Sequence, residues 1–221
     1  KMETDAKVVA LDKKGEKYII HVSDGTSMEA DAVVLAAPAF ETSKIVREID
    51  RNLSLLLNNI YYPSISVVCL GYKRDRISDS LDGFGFLIPS REGRKILGTL
   101  WDSSIFPNRA PEGYVLMRSM LGGMRKSELA EQEEDKQIRL VMEELEHIMG
   151  ISVQPDFAKV YMHIKGIPQY FPGHEKRLDA IDGIVDRFRG MYITGNAYRG
   201  IGVNDCVENS YKLAEKIVEE I

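Results

Sequence analysis

The spacing of apolar residues changes period several times along the chain. Residues 8 to 35 read as strands separated by turn signals: Val8-Val9-Ala10-Leu11, then Tyr18-Ile19-Ile20-His21-Val22 beyond Gly15, then an Asp24-Gly25 turn, a meander in its simplest form. Ala32-Val33-Val34-Leu35-Ala36-Ala37 is apolar without alternation, as in a strand buried on both faces, and Pro38 stops it. From Phe40 to Ile60 the residues Ile45, Ile49, Leu53, Leu56, Leu57 and Ile60 fall on one helical face and predict a single helix.

Strand-like stretches return at Ser64 to Tyr72, Gly83 to Pro89, Lys95 to Trp101 and Tyr114 to Leu121, and together they predict one antiparallel sheet. A charged stretch from Lys126 to Lys136 leads into Ile138, Val141, Met142, Leu145, Ile148 and Met149, an amphipathic helix that Gly150 ends. Phe157 to Ile164 is again strand-like, Ile167 to Tyr170 is extended and Asp179 to Arg187 predicts a short helix. A strand at Gly190 to Gly195 precedes a closing helix from about Asp205, with Val207, Ala214, Ile217, Val218 and Ile221 facing inward. The fold class is therefore α+β, with an antiparallel or mixed sheet and helices.

Composition narrows the class without changing this picture. The 221 residues are 44% apolar and 29% charged, with a net charge of −5, which is ordinary for a chain with its own core. Two cysteines in such a length point to a reducing compartment and a cytoplasmic location. No apolar run reaches the roughly 20 residues of a membrane span, and the N-terminus lacks the layout of a signal peptide. The acidic balance gives no reason to expect a nucleic-acid partner. His21, His147, His163 and His174 show no metal-ligand spacing, so no metal site is assigned.

The segment richest in chemistry is Tyr192-Ile193-Thr194-Gly195-Asn196-Ala197-Tyr198-Arg199-Gly200-Ile201-Gly202-Val203-Asn204-Asp205-Cys206, a strand, a glycine-rich turn and a helix start. Glycines admit a ligand close to the backbone, and a helix N-terminus offers unpaired N–H groups to electron-rich atoms. Asp205 and Glu208 have capping-box spacing. The same segment could equally be a turn that only caps a helix. It is neither Gly-x-Gly-x-x-Gly nor a Walker loop. Cys69, in an apolar strand, and Cys206 both suit structural roles. Glu131 to Asp135 reads as a solvated helix face, and Arg109 either pairs an acidic ligand group or fixes its loop.

Gly195 to Val207 closely resembles the C-terminal FAD-binding segment of protoporphyrinogen oxidases, within the flavin-containing amine-oxidase superfamily. The resemblance extends in order through Val33-Val34-Leu35-Ala36-Ala37-Pro38-Ala39, Gly83 to Pro89, Ile96 to Leu100, Phe106 to Pro111, Leu121-Gly122-Gly123 and Gly166 to Tyr170. The Gly-x-Gly-x-x-Gly unit that opens such enzymes is not in this sequence, so the chain looks like the C-terminal portion of one.

What the resemblance implies is a partial FAD-binding domain, residues 1–60 and 185–221, around a substrate-binding domain, residues 61–184. Val8 would lie on the adenine side, and Ala36, Ala37 and Pro38 near the pyrophosphate. Ile201, Gly202 and Val203 would offer N–H groups to the flavin ring, alongside Asn196, with Gly195 and Gly200 permitting the approach. His163 matches a position near the flavin that is Trp in some relatives. Leu87 and Leu100 match residues that sandwich a pyrrole ring, and Met120 matches a position that is often aromatic. The implied function is an FAD-dependent oxidase that converts a porphyrinogen to the porphyrin in haem biosynthesis, with oxygen as acceptor and the isolated chain inactive. The alternative is a flavin-free tetrapyrrole-binding or assembly module of the same fold. No side chain in this portion is assigned as a catalytic acid or base. Peripheral membrane contact and a homodimer, both common in the family, stay open.

Overall fold

The computed structural model describes residues 1–220. In chain order the elements are β1 (Val8–Lys14), β2 (Lys17–Val22), β3 (Ser27–Ala30), β4 (Val33–Leu35), α1 (Ala39–Ile45), α2 (Arg51–Asn58), β5 (Ile65–Lys73), β6 (Gly85–Leu87), β7 (Ile96–Leu100), α3 (Asp102–Ile105), β8 (Tyr114–Gly122), α4 (Glu134–Met149), β9 (Phe157–His163), α5 (His174–Val185), β10 (Met191–Ile193) and α6 (Val203–Glu220). They form two compact units, residues 1–61 with 168–221, and residues 62–167. The seam thus falls at 167/168, not at 184/185. Residues 168–184 group with the first unit because α5 packs on α2 and the Gln169 N–H donates to the Tyr61 carbonyl at 2.9 Å.

In the first unit, β1, β2 and β3 make an antiparallel meander, with Lys14 opposite Lys17 across a two-residue turn. At the second turn Asp24 Oδ1 accepts from the Thr26 N–H and hydroxyl, the side-chain closure that Asx turns use. β3 is an edge strand that the sequence reading missed, because Ser27, Met28 and Glu29 are all exposed and show no alternation. β4 and β10 pair in parallel as a separate two-stranded sheet, Val33 to Leu35 against Met191 to Ile193.

Two helices stand where a single one was expected between Phe40 and Ile60. α1 ends at Ile45, and Asp50, in extended conformation, caps α2 by accepting the Leu53 N–H at 2.8 Å. Leu53, Leu57 and Ile60 are still buried, so the apolar spacing survived a break that the capping residue makes. α5 begins at His174, five residues before the expected start. His174, Leu178 and Ile181 form its buried stripe at i, i+4 and i+7, and a histidine is not scored as apolar in a periodicity search.

α6 differs most from expectation. None of its described residues is buried, and Val207 and Val218 are 51% and 82% exposed. The partly covered side runs through Cys206, Asn209, Leu213 and Ile217, while Val207, Ala214 and Val218 face outward; Ile221 lies outside the described residues.

The second unit is a five-stranded antiparallel sheet in the order β6-β7-β8-β5-β9. One face is closed. Val68, Leu70 and Tyr72 of β5, Met117 and Leu121 of β8 and Val160 of β9 form a single apolar cluster with Val141 and Leu145 of α4. α4 stops at Gly150, whose left-handed conformation lets its N–H reach the Glu146 carbonyl. Within that face the Thr99 and Ser119 hydroxyls satisfy each other at 2.8 Å, which removes the cost of two buried unpaired hydroxyls.

Candidate functional site

The glycine-rich turn is held at the carboxyl ends of the parallel pair β4 and β10. The Thr194 N–H donates to the Leu35 carbonyl at 3.1 Å, so Ala36, Ala37 and Pro38 leave β4 beside Gly195. Gly195 has φ +127, and 3.8 Å separates the Ala36 carbonyl from the point where a Cβ would stand. Ligands of open α/β sheets bind at this kind of strand end. Val8 begins β1, which packs against α1, the helix that follows Pro38.

Further along the turn, Gly200 has φ +79, and a Cβ there would overlap the Asp205 side chain. Asp205 is not the N-cap that its spacing suggested. It sits at the third helical position, and its Oδ2 accepts the Gly202 N–H at 3.1 Å, half of a capping box with Gly202 at the cap position. Glu208 pairs instead with Lys212. One expectation changes as a result: the Gly202 N–H is already engaged. The Ile201, Val203 and Asn204 N–H groups have no acceptor among the described residues. Asn196, Ile201, Val203, Cys206, Val207 and Tyr211 line a mostly apolar groove of about 590 Å³. Glycine approach, free amides and groove together fit a planar, electron-rich group such as a flavin ring.

Two aromatic residues outside the sequence-read set brace this turn. The Tyr170 hydroxyl donates to the Asn196 carbonyl at 2.7 Å, and the Tyr170 and His174 rings stack with centroids 4.1 Å apart. His174 Nε2 lies 3.4 Å from the Tyr198 carbonyl, and burial lowers the imidazole pKa from its ordinary value. Arg199 pairs with Asp182 on α5, and Asn209 on α6 donates to the Arg199 carbonyl. The i, i+4 spacing of Tyr170 and His174 was the available signal, hidden by Pro172 and Gly173 between them.

The second unit presents the other half of the expectation. Its sheet face away from α4 carries rows that register fixes across all five strands. Leu87, Gly98, Met120, Val67 and Tyr161 make one row; Gly85, Leu100, Arg118, Cys69 and Lys159 make the next. Leu87, Leu100 and Met120, far apart in sequence, therefore share one open face in adjacent rows. Leu87 is 74% exposed and its Cδ2 lies over the Gly98 hollow, while Met120 and Leu100 are half-buried. His163 is in this unit too, opposite Ile65 at the end of β9, whereas the other ten cofactor candidates are in the first unit.

A sequence model of the flavin containing amine oxidoreductase family matches residues 1–218. The chain belongs to this family. A chloroplastic protoporphyrinogen oxidase of Oryza sativa subsp. japonica is 30% identical over 221 residues, covering 95% of the chain and 41% of that protein. A coproporphyrinogen III oxidase of Bacillus subtilis (strain 168) is 26% identical over 94% of the chain and 44% of that protein. Among solved structures, one from Exiguobacterium sp. 255-15, provisionally named a protoporphyrinogen oxidase, superposes with a TM-score of 0.83 at 22% identity, over 98% of this chain and 47% of that one. A putrescine oxidase variant shares the fold at a TM-score of 0.74 and 12% identity. The chain spans less than half the length of these curated relatives.

Family membership agrees with what the resemblance of Gly195 to Val207 implied. The fold alone does not choose a substrate, since putrescine oxidase shares it. The remaining candidates take structural places. Burial raises the Cys69 thiol pKa, with Asp102 adding to the rise and Arg118 opposing it, which keeps that thiol unreactive. Cys206 Sγ contacts the Gly200 carbonyl at 3.6 Å, and the Arg109 guanidinium lies over the Phe106 ring at 5.3 Å within its loop.

Proposed function

We propose that this chain is the C-terminal part of an FAD-dependent oxidase that converts a porphyrinogen to the porphyrin in haem biosynthesis, with oxygen as electron acceptor. The observation that carries it is the meeting of Ala36–Pro38 with Gly195 at the carboxyl ends of β4 and β10. It occurs in a chain similar throughout to protoporphyrinogen and coproporphyrinogen oxidases.

When bound, the flavin supplies the two-electron oxidation. The chain's own work is to hold and orient. The Ile201 and Val203 N–H groups, with Asn204 beside them, would face the electron-rich edge of the ring, while Gly195 and Gly200 leave room for it. Gly202 contributes differently from the sequence reading, by giving its N–H to Asp205 and so fixing the first turn of α6. Val8 and Ala36 to Pro38 would border the dinucleotide, and His163 would stand near the ring. Leu87, Leu100 and Met120 would form the wall against which a macrocycle lies, excluding water from one of its faces. In this reading residues 1–61 with 168–221 belong to the FAD-binding domain and residues 62–167 to the substrate-binding domain.

The test is purification of the intact gene product. A visible flavin spectrum and oxygen-dependent conversion of a porphyrinogen to the fluorescent porphyrin are expected, and a folded product without flavin would overturn the reading in favour of a flavin-free tetrapyrrole-binding module. The 221-residue chain by itself should bind FAD weakly and turn over nothing, because the other part of the dinucleotide cradle is not in it.

A further inference from the structure

The open sheet face of the second unit is not uniformly apolar. Its Leu87 row is apolar or aromatic from β6 to β9, and the adjacent row opens with Gly85 and Leu100 but then carries Arg118 and Lys159 on either side of Cys69. Arg118 and Lys159 thus stand two strand spacings, about 10 Å, apart on the same face. The packing around them accounts for Arg118 only in part and offers Lys159 no ion-pair partner among the described residues. Arg118 gives one N–H to Asp102 Oδ1 at 2.9 Å, and its buried Nε has no acceptor. A guanidinium has five N–H donors, so the Asp102 contact leaves most of them available. Lys159 is exposed.

Two cations at one side of an apolar floor complement a flat ligand whose carboxylates are gathered along one edge. We infer that Arg118 and Lys159 form the carboxylate-binding edge of this face, orienting a tetrapyrrole with its acidic edge over β8 to β9 and its carboxylate-free edge over Leu87 and Leu100. The inference rests on the porphyrinogen reading above and adds to it a direction: the macrocycle has one way round, set by charge. Asp102 holds the guanidinium in place from below, and Tyr161 and Phe157 flank Lys159 along β9 on the same face.

The probes are a dicarboxylate porphyrin and its dimethyl ester, which share a ring and differ only in the acidic edge. Binding to the intact gene product is followed by porphyrin fluorescence anisotropy. At low salt the diacid should bind about tenfold more tightly than the diester, a preference that shrinks as salt is added. Lys159→Glu should weaken the diacid by about tenfold and leave the diester within about twofold. Arg118→Gln with Asp102→Asn removes both charges together and leaves no buried carboxylate unpaired, and it should also lower the preference for the diacid. If diacid and diester bind alike and Lys159→Glu changes neither, the inference is overturned while the porphyrin reading stands. If neither ring binds, both fall.

Discussion

The two units of this chain differ in how much of their own apolar surface they cover. In the second, all five strands and α4 contribute to one cluster, in which Val68, Leu70 and Leu121 of the sheet and Val141 and Leu145 of α4 are fully buried. In the first, an 18-residue helix has no buried residue, and the only parallel pairing among the described residues is two strands of three residues each. Parallel strands ordinarily lie inside a covered sheet, and short two-stranded ribbons are marginal alone. The apolar outward residues of α6, Val207, Val218 and the ring of Tyr211, are thus a pattern written for burial that these 221 residues do not supply. Unit two is a layer with one closed and one open face; unit one buries Leu11, Tyr18, Leu53 and Leu57 but leaves α6 uncovered. That contrast agrees with a chain spanning less than half of its relatives.

The sharpest way to break the contrast is to cut into both helices. Leu145→Ala removes a fully buried side chain from α4 and should cost about 2–5 kcal/mol. Urea unfolding followed by the fluorescence of Trp101, the single tryptophan, reads it, because that ring packs against the same cluster. Val218→Ser on α6 touches no core and should stay within about 0.5 kcal/mol. Comparable losses for the two would mean that α6 is covered after all.

A smaller effect separates the two units by what stands behind a glycine. Gly85, with φ +120, lies so close to β7 that a Cβ would overlap the Thr99 carbonyl oxygen, a backbone atom that cannot turn aside. Gly85→Ala should therefore cost about 3 kcal/mol, from strain and displaced pairing together. At Gly200 the nearest obstacle is the Asp205 Cβ, which no side-chain rotation moves, but it belongs to the first turn of α6, a helix with no buried residue, and that turn can shift. Gly200→Ala should cost about 1 kcal/mol and free the Gly202 N–H from Asp205, seen as faster amide hydrogen exchange at the start of α6. Equal effects at the two sites would erase the distinction between a rigid sheet and an adjustable turn.

Where the sequence could be read, a local rule and the final packing agreed. β5, β7, β8 and the stripe of α4 were legible because each buries one face against a neighbour within the same unit. The convergence of Leu87, Leu100 and Met120 on one face was reachable only through resemblance, since the registers that align them depend on strand order. The break at Asp50 was hidden by a spacing of leucines that continues across it, and β3 by the absence of any buried side. α6 was misread for the opposite reason: its apolar residues follow a helical spacing, but Val207, Ala214 and Val218 lie on its exposed side. Tyr170 and His174 escaped because polar aromatics count neither as core nor as motif, although their hydrogen bonds fix the turn between β10 and α6.

The smallest expected effect tests whether that brace matters. His174 is held neutral chiefly by burial, assisted by the nearby Arg177 and Arg199 charges and opposed by its hydrogen bond to the Tyr198 carbonyl. Its folded pKa is therefore below the ordinary 6.5, and between those two values the unfolded chain binds a proton that the folded chain does not. Stability must then rise with pH across that window, fall as acid is added through it, and be flat in this group above about pH 6.5. Asp24 and Glu208, whose carboxyl pKa values are lowered by Thr26 and Lys212, titrate further down and do not enter the window. Hydrogen-exchange protection of residues 191–199, corrected for the intrinsic rate, should be level above about pH 6.5 and decline as the pH is lowered below it in the natural chain. In His174→Gln, which keeps a polar side chain without a titrating ring, the decline should vanish. A decline of the same size in the variant would show that the turn is held by its ion pair and by α6 alone, and that the histidine only fills space beneath it.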